Sequence, residues 1–404
     1  MTIFYVIFVL LTAYYSLRYD GIEEYDSHKQ HRLWLMCLYL ICLTGFSYGL
    51  GADKFTYMEE FEEYPNDISE VGDYVLVGFM VRGQMPFWTI VNVLCKILFN
   101  SFYAVQLLES IAINTAVCYV VSKYTKRYFL FLLIYFLSLQ YFIFNTEVMR
   151  EGFALAFSLI GMHGWLSGRK WLFFVMLPIA VMFHLSACAA ILFPFMFFRI
   201  SWKTLLYAFV SSFFLWAASD LLLGKLMLTV FGGSEAMVSK VLYYSIQSTS
   251  IFGFVRHSAH YLIFPFVVMY SSIALEPSES LKESKEKFTA YMVVLAIFAG
   301  AIPGTVRFFN YAYVFYFISL ADFVYTLFRA KRHLLLRLGT MAGTIFFVWD
   351  LYTGHYKTTN SYFYEFFYPY TCILDEGVNV DFRPIAHQEA TTLEVDEKKM
   401  RTIE

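Results

Sequence analysis

Residues 145–166, NTEVMREGFALAFSLIGMHGWL, decide how this chain folds. Beyond Glu151 the stretch is almost wholly apolar, as a membrane-crossing helix of roughly 20 residues requires. Its charges crowd the entry: Glu147, Arg150 and Glu151. An ionisable side chain in such a segment costs roughly 2.5–3.5 kcal/mol on insertion scales, so it marks a function or a strong anchor. Two further stretches repeat the pattern. LPIAVMFHLSACAAILFP, 177–194, carries His184, and RFFNYAYVFYFISLADF, 307–323, opens on Arg307.

The whole composition agrees. The chain of 404 residues is 59% hydrophobic, 21% aromatic and 15% charged, with a mean hydropathy of +0.56. A soluble domain carries nearer a quarter charged residues, so the composition is that of an all-α polytopic membrane protein. The net charge of −2 says nothing about nucleic acid, and with no basic stripe in the sequence that class is set aside. The six cysteines are scattered singly and read as small buried hydrophobes. The opening MTIFYVIFVLLTAYYSLRYD lacks the basic start and the small-residue cleavage site of a signal peptide, and reads as a retained helix.

Short basic loops set the topology, because Lys and Arg collect on the cytoplasmic side. Lys123–Arg127, Gly168–Lys170, Arg199–Lys203 and Arg329–His333 with Arg337 are placed inside. The acidic stretch 51–85, read as a loop, is placed outside. Candidate spans are 2–17, 33–50, 102–122, 128–145, 150–167, 171–184, 186–198, 204–223, 257–275, 288–303, 308–328 and 338–354. The pair 171–198 lies between two inside loops, and Pro178 and Pro194 point to broken or re-entrant helices lining a cavity. PFWTIVNVLCKILFN, 86–100, reads as an amphipathic helix on the outer face. The expectation is about twelve transmembrane or re-entrant helices in one transmembrane domain, 1–354. Its periplasmic loops are 51–100 and 224–256, and a C-terminal polar tail follows at 355–404.

This topology gathers polar residues on one face. Arg150 stands three residues after Glu147, so a continuous helix pairs them, and a guanidinium fork suits diphosphate or carboxylate. An anchor snorkelling to water is the alternative. His184 sits at the helix break, as proton acceptor or phosphate contact, or as plain packing. Arg307, Asn310 and Tyr311 share a helix face suited to phosphate or sugar. Gly51 eases a turn, Asp53 caps the helix that follows, and Tyr57 lies one turn on. Arg256-His257-Ser-Ala-His260 holds two His one turn apart with no further ligands at metal spacing, so Arg256 is read as a secondary anion contact and no metal site is assigned.

These residues resemble the EpsG-type group of Wzy polysaccharide polymerases. The resembling pieces are GLGADKFTYMEEF, SFYAVQLLESIAINTAVCYVVSKYTKRY, NTEVMREGFALAFSLIG, IAVMFHLSACAAILF, RFFNYAYVFY and YFYEFFYPYTCIL, running in order from about 40 to 375. The Arg and the Phe-His-x-Ser element are the most specific. The chain departs from the pattern at Phe46-Ser-Tyr48, where members often carry an Arg. The resemblance implies a metal-independent, inverting glycosyltransferase without cofactors at the periplasmic face of the bacterial inner membrane. It would join undecaprenyl-diphosphate-linked oligosaccharides, as donor and acceptor, into O-antigen, capsule or exopolysaccharide, with a chain-length regulator as a further partner. His184, Glu147 and Arg150 would be catalytic. Arg307, Asp53, Tyr57, Asn310, Tyr311 and Arg256 would bind substrate. A lipid-linked glycan flippase and a membrane acyltransferase acting on surface glycans are the competing classes. The first needs cations through the membrane depth and an internal repeat, and the second needs its His at a cytoplasmic-facing or mid-membrane donor tunnel.

Overall fold

The computed structural model describes residues 3–24, 26–51, 53–218, 250–302, 305–329, 355–356 and 361–375. The expected span 338–354, most of the expected loop 224–256 and most of the tail 355–404 lie outside the described residues. In chain order the helices are α1 (Ile3–Tyr19), α2 (Ser27–Gly45), α3 (Asp53–Glu63), α4 (Val71–Arg82), α5 (Pro86–Phe99), α6 (Phe102–Tyr124) and α7 (Tyr128–Leu137). There follow α8 (Gln140–Phe142), which runs into a π turn (Ile143–Glu147), then α9 (Met149–Leu166), α10 (Lys170–Phe183), a 3-10 helix (Leu185–Phe195) and α11 (Trp202–Ala217). Next come α12 (Ile251–Ser258), a second π turn (Ala259–Ile263), α13 (Phe264–Leu275), α14 (Glu279–Ala301) and α15 (Val306–Arg329). Two-residue strands His355–Tyr356 and Ser361–Tyr362 pair antiparallel.

The chain is a helical membrane protein. Among the described residues, Phe102–Tyr124, Ile251–Leu275 and Val306–Arg329 are each long and apolar enough to cross a bilayer, and the pair Tyr128–Leu137 with Gln140–Glu147 is a fourth if it counts as one span. That pair bends by 80°, where 128–145 was expected as a single run. The break falls at Leu139, whose φ is 61°. The stretch 51–85, expected as a loop, is mostly helical. α3 buries Lys54, Tyr57 and Phe61, which recur at helical spacing along one face. In α5 the usual amphipathic order is inverted. Thr89, Asn92 and Lys96 are buried while Leu94, Ile97 and Leu98 are exposed, an arrangement suited to lipid rather than water. The expected break in 171–198 is present: α10 stops at Phe183 and the 3-10 helix starts at Leu185.

The residues group into two compact units. The first comprises 1–71, 90–156 and 324–404, and the second 72–89 and 157–323. In the first unit α2 packs along α6 and α1 along α7. One end of this unit joins the turn after α1 to the loop before α7. The Asp20 carboxylate accepts from Phe129 N at 3.2 Å and Leu130 N at 2.8 Å, capping α7. Lys29 Nζ donates to Lys126 O at 2.6 Å, Arg127 donates to Asp20 O and pairs with Glu23, and its guanidinium lies over the Tyr325 ring at 3.9 Å.

Burial pushes the Asp20 carboxyl up from 3.8 to about 6, against the pull of its two backbone donors, Ser16 and Lys29. The folded chain therefore holds that proton more tightly than the unfolded one. Asp20 adds stability that is complete below pH about 4 and lost as pH rises through about 6. Asp20→Asn keeps an acceptor oxygen and cannot titrate. The stability of the parent relative to this variant should fall by roughly 2–3 kcal/mol between pH 4 and pH 7. Thermal unfolding in detergent across that range checks it, and parallel pH curves would refute it.

In the second unit Lys285, almost fully buried, bridges Glu276 at 2.6 Å and Asp322 at 2.7 Å. This ties the end of α13 and the start of α14 to α15. A buried cation is tolerable only with such partners.

Candidate functional site

In the first unit, the far end of α2 opens into the segment 46–51, which the distant C-terminal motif holds in place. Tyr48 N donates to Thr371 O at 2.9 Å, Gly51 N to Phe366 O at 2.9 Å, and Ile373 N to Phe46 O at 3.0 Å. Tyr5 of α1 anchors the same motif, its hydroxyl donating to Phe367 O at 3.1 Å and its ring packing edge-on to Tyr368 and Tyr370. Phe46-Ser-Tyr48, the point of departure from the family pattern, is thereby part of a small backbone ladder that presents Gly51.

Gly51 has φ +81°, and a Cβ there would lie 3.0 Å from Thr146 Oγ1 and 3.2 Å from Glu147 Oε1. Both the left-handed backbone and the close approach require glycine. Glu147 Oε2 accepts from Asp53 N at 3.0 Å. Asp53 was expected to cap α3. Instead it is the first helical residue, and Glu147 supplies the negative charge at that N-terminus. Tyr57 Oη donates to Glu147 O at 3.3 Å, and the Arg150 guanidinium lies 5.0 Å from the centre of the Tyr57 ring. Asp53, Tyr57, Glu147 and Arg150, drawn from two distant stretches, therefore meet. The expected one-face pairing of Glu147 with Arg150 assumed a continuous helix. The π turn through Glu147 and the break at Val148, φ −113° and ψ 51°, reset that register.

Behind these residues lies a buried polar layer that sequence reading missed. Gln106 Nε2 lies 2.6–3.0 Å from Thr44 O, Gly45 O and Ser47 O, so its two hydrogens serve the carbonyls where α2 ends. Lys54 Nζ reaches Ser47 O and Oγ at 3.2 and 3.0 Å. Asn145 Oδ1 accepts from Thr44 Oγ1 at 3.0 Å and Asn114 Nδ2 at 2.8 Å. Glu109 is fully buried, and neither carboxylate oxygen has a hydrogen-bond partner among the described residues. The signal was present: Gln106 and Glu109 interrupt an apolar span just as Arg150 does, but the reading followed cations.

In the second unit His184 occupies the joint between α10 and the 3-10 helix, with extended φ −154° and ψ 127°. Its Nδ1 lies 2.5 Å from Ser186 Oγ and 3.4 Å from Ser186 N. Ser186 Oγ in turn lies 2.9 Å from Tyr311 Oη. His184 and Tyr311, assigned to separate groups from sequence, are joined through Ser186. On α15, Arg307 is exposed, Asn310 half-buried and Tyr311 fully buried. Arg256 is exposed on α12, while the rings of His257 and His260 both contact Tyr261. Among the described residues no three His, Cys, Asp or Glu side chains gather as a metal ion would need.

A family model described as EpsG family matches residues 33–372. No curated protein and no solved structure matches the chain.

Proposed function

The chain belongs to the EpsG family, which is associated with glycosyltransferase-like polysaccharide polymerases, and from that premise we propose that it joins oligosaccharide repeat units carried on undecaprenyl diphosphate. The reading places the reaction at the periplasmic face of the bacterial inner membrane, among about twelve crossing or re-entrant segments, with α5 on the outer face. The hydroxyl at the non-reducing end of the incoming unit attacks the anomeric carbon of the growing chain. That carbon–oxygen bond forms, the bond to the lipid diphosphate breaks with inversion, and the electron pair leaves with the diphosphate. Arg150 neutralises the leaving charge, the work a divalent ion does elsewhere, and Arg307 is a further candidate phosphate contact. The hydroxyl proton passes to His184 or to a carboxylate such as Glu147. Asp53, Tyr57, Asn310, Tyr311 and Arg256 hold sugar and phosphate.

The observation that carries this reading is the meeting of Gly51, Asp53, Tyr57, Glu147 and Arg150. A half-buried guanidinium over a tyrosine whose hydroxyl is held by Glu147 O, built from two distant stretches, has the parts for an anionic sugar donor.

The test is reconstitution. Purified protein given lipid-diphosphate repeat units should lengthen them in excess chelator. Activity that disappears with chelator and returns with magnesium would overturn the guanidinium role. No lengthening under any condition, with the lipid substrates consumed by a known polymerase in parallel, would overturn the polymerase reading.

A further inference from the structure

Within the first unit α1 and α2 are neighbours, yet each packs chiefly on another helix, α1 on α7 and α2 on α6. Between them runs a recess of about 510 Å³, open along one flank. Its walls follow from the helical repeat. Leu35, Tyr39, Cys42 and Phe46 line it at helical spacing along α2, and Leu11 and Tyr15 face them one turn apart on α1. From Leu35 to Phe46 the α2 wall is about 16 Å long at the helical rise. The lining holds only Leu, Met, Phe, Tyr and Cys. None of the buried polar atoms left without a hydrogen-bond partner belongs to it. A recess of this kind has little to hold water and takes an apolar guest.

Its two ends differ. Toward the start of α2 the Arg32 guanidinium lies 5.8 Å from the centre of the Tyr15 ring and ties the two helices. At the other end the rings of Phe4 and Tyr370 meet edge-on, 5.8 Å apart, and Phe46 and Cys372 complete the lining. These last two belong to the backbone ladder, since Ile373 N donates to Phe46 O and Ser47 bridges to Cys372. The same ladder presents Gly51 to Glu147, in the group that contains Arg150. The chain from Phe46 to Gly51 spans at most about 18 Å. The apolar recess therefore leads into the end of the unit that carries the cation.

We propose that the recess between α1 and α2 holds the isoprenoid chain of a lipid diphosphate, with the diphosphate directed toward Arg150. That the chain is an isoprenoid rests on the function proposed above. One occupant with a single apolar chain and an anionic head uses both features. A phospholipid brings two chains to one cleft and leaves the second outside it. A second copy of the protein needs a broad face, where this is a narrow cleft.

Tryptophan in the cleft tests the assignment. Leu38 and Cys42 line it and are exposed, so a larger side chain there fills the recess without entering the core. Leu17, 90% exposed on α1 and outside the lining, is the control position. Repeat units are supplied on undecaprenyl diphosphate or on geranyl diphosphate. The parent and Leu17→Trp should favour the undecaprenyl carrier by about tenfold or more in kcat/KM, chiefly through KM. Leu38→Trp and Cys42→Trp should cut that preference to about threefold or less. Parental preference in both folded variants would overturn the inference. The second measurement needs no turnover. Undecaprenyl diphosphate with a diazirine near the end of its chain is photolysed with the full-length protein in phosphatidylglycerol vesicles. Adducts should collect on residues 35–46 of α2 and disappear in Cys42→Trp. Adducts spread as densely over the outward face of α1, or suppressed by added phosphatidylglycerol, would mean ordinary bilayer contact and refute the site. Coupling of Cys42 between two copies by an apolar bismaleimide would refute it as well, by making the cleft a protein interface. Adducts in the recess of a protein that lengthens nothing would uphold the isoprenoid site and remove the polymerase reading. Polymer without such adducts would remove the site alone.

Discussion

Arg150→Lys should leave a folded protein that accumulates single repeat units on lipid and makes about 100-fold less polymer. The argument is geometric. The guanidinium is half-buried, and its carbon sits 5.0 Å from the centre of the Tyr57 ring. Tyr57 is itself held by Glu147 O. Tyr57 thus gives the planar guanidinium fork a packing surface. A diphosphate oxygen pair takes two parallel hydrogen bonds from such a fork, and an ammonium offers one strongly hydrated point charge in their place. Removing one preorganised donor to a developing oxyanion costs about 100- to 1,000-fold in comparable sites. Arg150→Lys keeps the charge, so a large loss isolates the geometry. Arg150→Ala should lose at least as much. Gel analysis of polymer length, with size-exclusion behaviour as the control for folding, measures both. If the lysine variant makes polymer at the parental level, Arg150 is an interfacial anchor and Tyr57 merely packs against it.

The helices were legible where the sequence carries uninterrupted apolar length. Residues 102–124 and 306–329 need no partner to declare themselves, because lipid imposes the helix on any apolar run of that length. The bend after Leu137 was not legible. No Gly or Pro marks it. Leu139 takes a left-handed backbone in a run of Phe, Leu and Tyr, and the segment that follows is tied to distant partners, Asn145 to Thr44 and Asn114. The acidic stretch after Gly51 misled for a different reason. Its composition reads as loop beyond the helix start at Asp53, yet Lys54, Tyr57 and Phe61 repeat at helical spacing, and weighing that spacing above charge carries the helix on to Glu63.

The candidate site divides in the same way. Sidedness alone brought Asp53, Tyr57, Glu147 and Arg150 together, since basic loops at one end of a helix put its other end across the bilayer. The finer geometry depended on contacts between segments hundreds of residues apart. Nothing in GLGADKF announces that Phe366 will take the Gly51 N–H. Nothing in TEVMREG announces a π turn that redirects Glu147 from Arg150 to the N-terminus of α3. Ser186 was quoted within the Phe-His-x-Ser element but given no task, because its partner Tyr311 stands on another helix.

Gly152→Ala is expected to do the most damage to the fold. A Cβ at this position would overlap Glu109 Oε1 and lie 2.5 Å from Phe144 O. The carboxylate is the end of a side chain and has some freedom. The carbonyl belongs to the π turn and has little. Overpacking against a rigid neighbour costs about 1–3 kcal/mol and sometimes more, and here the displaced group is a fully buried carboxyl with nowhere better to go. A loss on the order of 3 kcal/mol is expected, read as a lower unfolding temperature in detergent. The double variant Gly152→Ala with Glu109→Ala distinguishes the two obstacles. Removing the carboxyl should recover part of the loss, so that the pair is less destabilised than the sum of the singles. The remainder is the push against Phe144, and it carries a functional signature. Moving Phe144 moves Glu147 three residues later, and with it the acceptor for Asp53 N and Tyr57 Oη. The double variant should therefore stay folded longer than Gly152→Ala alone yet remain poor at making polymer. Parental stability and polymer in Gly152→Ala would mean that the turn yields freely, and that Glu147 is not held by it.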